Sequence, residues 1–170
     1  TLRAASMQPD DPAVLLYSSG TTGVPKGVTL THHNIETNMR TAAKCSGYQP
    51  GDRLALFLPL FHVFGQNYIM NGGFEAGVTL ALFRRFVPEV VLAAIGRERI
   101  TKFFAVPTIY IGVLNMDLAK YDLSSIDYYF SAAAAVLLDP YYLPMIPTTG
   151  VVLMMQRCCD SSSLLGTDLF

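Results

Sequence analysis

The segment Tyr17-Ser-Ser-Gly-Thr-Thr-Gly-Val-Pro-Lys-Gly27 concentrates four serine and threonine hydroxyls, three glycines and one lysine in eleven residues. Each of these residue types suits a polyphosphate. Glycines let backbone N–H groups converge on an anion, hydroxyls add donors at phosphate distance, and a lysine brings a mobile positive charge. A Walker-type loop would need glycine immediately before the lysine and Ser or Thr immediately after it. Here Pro25 precedes Lys26 and Gly27 follows. Proline at that place keeps the loop from running smoothly into a helix that begins at the lysine, and the magnesium-binding hydroxyl is missing from its expected position. A P-loop ATPase or kinase is therefore disfavoured on mechanism. An ordinary surface turn is the remaining plain alternative, but such turns rarely combine this many hydroxyls with Pro-Lys-Gly between apolar strands.

The elements that must position this loop lie on either side of it. Residues 13–18 form a short apolar run and residues 27–31 alternate with β-branched side chains, so the two can pair as neighbouring strands with the Gly/Thr/Pro segment as a long hairpin loop. Thr31 is the expected N-cap of a helix carrying Ile35, Met39, Ala42 and Ala43 at helical spacing and ending near Gly47. Further strands are expected over 54–58, 78–83 and 103–106, with a helix over 87–97 that has Pro88 in its first turn. Pro59 ends the first of these strands, and Phe61-His-Val-Phe-Gly65 should start a loop or helix at its exit. Strands alternating with helices in this way predict an α/β domain with a largely parallel sheet flanked by helices.

The loop closely resembles the phosphate loop of the AMP-forming, adenylate-forming superfamily, which includes the acyl-CoA synthetases, peptide-synthetase adenylation domains and luciferases. Leu58-Pro-Leu-Phe-His-Val-Phe-Gly65 resembles the segment in which that family places a histidine beside its acyl and nucleotide pockets, and Val106-Pro-Thr-Ile-Tyr110 follows in the usual order. The resemblance runs from about residue 11 to about residue 135 and is closest to the carboxylate and fatty-acyl CoA ligases. It implies a two-step reaction: a carboxylate attacks the α-phosphate of MgATP, giving acyl-adenylate and pyrophosphate, and a thiol, usually of coenzyme A, then displaces AMP. The implied ATP-phosphate site is Ser18, Ser19, Gly20, Thr21, Thr22, Gly23 and Lys26, which would neutralise charge building on the leaving pyrophosphate. His62 would border the acyl and nucleotide pockets, orienting the carboxylate rather than serving as a general base; alone, a histidine among apolar residues is more often a hydrogen-bonded core residue. Ala133 and Ala134 would lie on the adenine side.

The resemblance also has departures. In Tyr129-Phe-Ser-Ala-Ala-Ala-Ala-Val136, Ala132 and Ala135 stand where the family has Gly and Pro in a turn against adenine. If that turn needs positive φ, alanine would cost about 1 kcal/mol and shift the adenine wall. Residues 1–138 are assigned to a partial AMP-binding domain, and 139–170 to a divergent tail with no assigned domain. The family's magnesium-binding acidic segment, ribose-binding aspartate and C-terminal lysine domain have no counterpart here. The expectation is an interior piece of a longer enzyme, with no complete catalytic site, no metal ligands of its own and sheet edges prone to self-association. A degenerate, non-catalytic nucleotide- or acyl-binding module is the alternative.

Composition narrows the partners. With 51% of its 170 residues hydrophobic, 15% charged and a net charge of −1, the chain can bury one globular core and offers no basic footprint for nucleic acid. The expected partners are small molecules: ATP, a carboxylic acid and coenzyme A. Three cysteines at non-ligating spacing favour a reducing, cytoplasmic compartment. Pro59, His62, Pro107, Asp139 and Pro140 interrupt every apolar stretch long enough to suggest a transmembrane segment. His32 and His33, at the helix start, are read as a solvated cap.

Overall fold

The apolar, β-branched runs on either side of the Gly/Thr loop form strands β1 (Pro12–Ser18) and β2 (Lys26–Thr31), paired antiparallel as a hairpin. A computed structural model of the chain describes residues 5–18 and 25–132. Ser19, Gly20, Thr21, Thr22, Gly23, Ala133, Ala134, Ala135 and the 139–170 tail lie outside the described residues. Helix α1 (His32–Cys45) starts where expected: the Asn34 N–H donates to Thr31 Oγ1 at 3.2 Å and the Thr31 N–H to Asn34 Oδ1 at 3.0 Å. This reciprocal capping box satisfies two otherwise orphaned donors. The chain leaves the helix through Gly47, whose φ of 57° is the left-handed conformation that glycine adopts without a Cβ penalty.

Where composition suggested one domain, the described residues form two compact units. One comprises the residues up to Pro50 together with Pro59–Val78, and the other Gly51–Leu58 together with Thr79 onward. The chain enters the second unit, returns to the first and enters the second again. Composition is blind to interleaving of that kind, because it counts apolar residues without recording which segments pack together.

In the first unit, α1 packs against a π-helical segment (Phe64–Asn71) that continues into the single turn α2 (Gly72–Glu75). A Cβ on Gly72 would come within 3.3 Å of the Met39 carbonyl oxygen and 3.4 Å of the Tyr48 ring, so glycine there lets the helices approach closely.

The second unit is a four-stranded parallel sheet of order β4–β3–β5–β6, with β3 (Arg53–Leu56) and β5 (Lys102–Ala105) central and β4 (Thr79–Leu82) and β6 (Tyr128–Ser131) outside. Helices α3 (Pro88–Glu98) and α4 (Pro107–Leu114) connect β4 to β5 and β5 to β6. Pro88 and Pro107 each open a helix, where a missing N–H costs nothing and φ is already helical. The expected α/β architecture is thus present. Helix α4 falls on the Val106-Pro-Thr-Ile-Tyr110 motif and was not foreseen, being apolar nearly all round. The core joins Ala55, Phe57, Val91, Leu92, Ile95 and Phe103, among others. Tyr110 is buried in it, and its hydroxyl lies 3.0 Å from the Phe103 carbonyl and 2.9 Å from that of Phe130, tying α4 to β5 and β6.

Candidate functional site

In the hairpin, Ser18 is directly opposite Lys26 and Tyr17 opposite Gly27. A strand ladder therefore closes the base of residues 19–25, the loop proposed to hold phosphate. Two strands joined at that point fix where the loop enters and leaves. Lys26 is the first residue of β2 and is exposed. Gly27 is not among the described glycines with positive φ, and a Cβ there would meet the Tyr17 ring at an ordinary 3.6 Å. Its backbone conformation does not itself demand glycine.

His62 also belongs to the first unit, in an exposed segment where Phe61 is 88% accessible. Its backbone is tied down at both sides: the His62 N–H donates to Pro59 O at 3.1 Å, and its carbonyl accepts from the Gln66 N–H at 3.0 Å. The ring is oriented as well, because Nδ1 accepts the Phe64 N–H at 3.1 Å. An Nδ1 that accepts leaves Nε2 as the N–H donor. His62 thus presents a donor outward rather than a free base nitrogen, an arrangement suited to orienting an anion.

The π-helical segment immediately after His62 is held by buried amides. Asn67 is 3% exposed; its Nδ2 donates to Asn38 Oδ1 on α1 at 2.6 Å, and its Oδ1 accepts from Asn71 Nδ2 at 2.9 Å. Alongside, the Ser46 and Tyr68 hydroxyls are 2.9 Å apart. Sequence reading foresaw a loop or helix here and missed the wide turn. Gly65, Asn67 and Ile69 are all buried, a spacing of two that matches neither face of an α-helix.

In the second unit the carboxyl ends of the parallel strands face one side, where open α/β sheets bind ligands. β6 ends at Ser131 and runs into Ala133 and Ala134, the expected adenine-side residues, which lie outside the described region. The Ala132 N–H donates to Ala105 O at 3.3 Å, continuing the β5–β6 ladder by one bond. Among the described residues the one non-glycine with positive φ is Arg99, so Ala132 does not carry the backbone strain its substitution for glycine suggested. Burial pushes the Tyr129 phenol up to about 12, and it pushes Tyr110 higher still. Neither is an acid–base group at neutral pH. The apolar cavity of about 30 Å³ lined by Leu92, Phe103, Tyr110, Ile126 and Tyr129 is far below the roughly 300 Å³ of a small-molecule site.

Among the described residues no cluster of three His, Cys, Asp or Glu side chains could hold a metal ion. No helix among them is long and apolar enough to cross a membrane.

A family model described as AMP-binding enzyme matches residues 2–140. The chain belongs to the AMP-binding enzyme family. It is 42% identical over 119 residues to a long-chain-fatty-acid–CoA ligase of Bacillus subtilis (strain 168), covering 68% of this chain and 21% of that protein. It is 39% identical over 128 residues to 4-coumarate–CoA ligase 2 of Oryza sativa subsp. japonica, covering 71% and 22%. Among solved structures, ATP-bound MatB from Rhodopseudomonas palustris superposes with a TM-score of 0.71 at 29% identity, over 79% of this chain and 26% of that one. The chain thus spans about a fifth of the length of these curated relatives. As an AMP-binding enzyme chain it has the fold its motifs implied, an α/β arrangement matching the adenylate-forming enzymes.

Proposed function

We propose that this chain supplies the ATP-phosphate loop and part of the acyl pocket of an AMP-forming carboxylate–CoA ligase, with a fatty acid as the carboxylate. The observation that carries the reading is the pairing of Ser18 with Lys26, which brings together the two ends of the stretch between them. In the reaction a carboxylate oxygen bonds to the α-phosphorus of ATP and the bond to pyrophosphate breaks; the sulfur of coenzyme A then bonds to the acyl carbon and AMP leaves. The loop's task falls in the first step. Backbone N–H groups and hydroxyls of Ser19, Gly20, Thr21, Thr22 and Gly23, with Ser18 and the Lys26 ammonium, neutralise charge on the departing pyrophosphate. His62 orients the substrate carboxylate with its outward Nε2–H, and Ala133 and Ala134 border adenine. Mg2+ enters with the phosphates and is assigned no protein ligand among the described residues. The similarity to a long-chain-fatty-acid–CoA ligase supports the choice of acid, and the similarity to a 4-coumarate–CoA ligase makes an aromatic acid the first competitor to test. A reducing, cytoplasmic setting suits this chemistry.

The test is calorimetric titration of MgATP into the chain and into a Lys26→Ala, Thr22→Ala double variant. The proposal expects binding to the parent and its loss in the variant. A folded parent chain that takes up no MgATP, or a variant that binds equally well, refutes the loop assignment.

A further inference from the structure

We propose that Asn67 is a positioning residue for His62, acting through the π-helical turn that follows the histidine. The inference rests on the proposed role of His62 and extends it to a buried residue that has no contact with a substrate in that scheme.

A π-helix closes each hydrogen-bonded ring with one more residue than an α-helix, i→i+5 in place of i→i+4, and is rare enough to need local support. Here the Gly72 N–H reaches the Asn67 carbonyl, an i→i+5 bond. The Asn67 side chain is pinned at both ends, donating to Asn38 Oδ1 at 2.6 Å and accepting from Asn71 Nδ2 at 2.9 Å. The first bond crosses to α1, so it anchors the segment to a separate helix; the second lies within the segment. Asn67 is also 3% exposed, and a buried amide must keep its partners because no water can replace them. Reverting the wide turn to an α-helical one would draw the Asn67 side chain off Asn38. It would also rotate everything on the N-terminal side by about one residue, roughly 100° about the helix axis. The groups on that side are Phe64, whose N–H donates to His62 Nδ1 at 3.1 Å, and Gln66, whose N–H holds the His62 carbonyl at 3.0 Å. The Asn67 amide therefore sets the direction in which the His62 ring presents Nε2–H. Tyr68 ties the same segment to the end of α1, its hydroxyl lying 2.9 Å from that of Ser46, but it is the Asn67 side chain that joins α1 to the last turn of the segment through Asn71.

The test reads His62 itself by nitrogen-15 NMR of the histidine-labelled chain, with His62→Gln to assign its signal among the three histidines. The parent chain is expected to show the Nε2–H tautomer. Asn67→Leu and Asn38→Leu, each confirmed folded by circular dichroism, are expected to keep that tautomer, because Phe64 turns with His62, and to move the His62 Nε2 resonance as the ring meets new surroundings. Asn38→Asp keeps the acceptor for Asn67 Nδ2 and is expected to restore the parental pattern. If Asn67→Leu does not fold, the comparison of Asn38→Leu with Asn38→Asp decides the matter. A folded Leu variant with an unchanged His62 pattern, or equal effects of Asn38→Leu and Asn38→Asp, overturns the proposal. Because the readout needs no ligand, loss of nucleotide or acyl binding would count against the proposed function and leave this result standing.

Discussion

Replacing Lys102 with methionine should destabilise the parallel-sheet unit far more than removing one of its two carboxylate partners. The Lys102 Nζ lies 3.3 Å from Asp52 Oδ2 and 3.4 Å from Asp127 Oδ1, nearly equal distances. Burial separates the two pairs. The side chains of Lys102 and Asp52 are 7% and 10% exposed, whereas that of Asp127 is 59% exposed. Water screens the Asp127 pair, which should contribute about 0–1 kcal/mol. Methionine would fill the lysine stem's space but leave the Asp52 carboxylate buried without its cation, a loss of about 3–5 kcal/mol for such pairs. Asp52 Oδ1 still accepts from Thr101 Oγ1 at 2.9 Å, which argues for the lower end, about 3 kcal/mol. The Lys102 ammonium also sits 5.5 Å above the Tyr128 ring, adding a cation–π contribution of about 0.5–1 kcal/mol. Urea unfolding followed by circular dichroism is the assay, since the chain has no tryptophan. Hydrogen exchange at the β3 and β5 amides would assign the loss to this unit. The double variant Lys102→Met, Asp52→Leu should recover most of it, because a buried pair replaced by apolar groups is often neutral. A Lys102→Met loss below about 1 kcal/mol, or an Asp127→Asn loss equal to it, would refute the reasoning.

Gly96→Ala should cost about 1–3 kcal/mol, because its Cβ would lie 2.9 Å from Asp122 Cβ and 3.0 Å from the Asp122 carbonyl oxygen. Gly112→Ala, with nothing within 4 Å of the new methyl inside α4, should instead stabilise by about 0.5–1 kcal/mol; thermal melts with both shifts of one sign would show that the close approach at Gly96 is not decisive. Stability should also fall as pH rises from about 10 to about 12, because burial raises the folded Tyr129 phenol to about 12 from 10.0 and the unfolded chain ionises first. The contribution is complete below pH 10, so Tyr129→Phe should lessen the slope in that window, the more deeply buried Tyr110 keeping the rest, and leave stability near neutrality with little pH dependence of its own.

The hairpin, α1 and the parallel sheet were legible in the sequence because each is specified locally. β-branched alternation made β2, the Thr31–Asn34 capping pair started α1, Gly47 ended it, and Pro88 opened α3. The candidate site was legible for the same reason. The hydroxyl, glycine and lysine chemistry of residues 18–27 is concentrated in one stretch, and strand pairing needs only its neighbours to close it. Other features depend on partners distant in sequence. The π-helical segment is tied to α1 where Asn38 meets Asn67 across two helices, and the buried lysine is tolerable because Asp52 arrives beside β5 from the start of another strand. The tyrosine of Val106-Pro-Thr-Ile-Tyr110 counted in the sequence as a family match; the tertiary structure makes it the buried tie between α4 and two strands. Residue types and spacing thus determined which chemistry the chain can offer and which segments become strands and helices. Only the fold decided which polar groups are buried together, since the cost of leaving such a group unpaired depends on what distant segments bring to it.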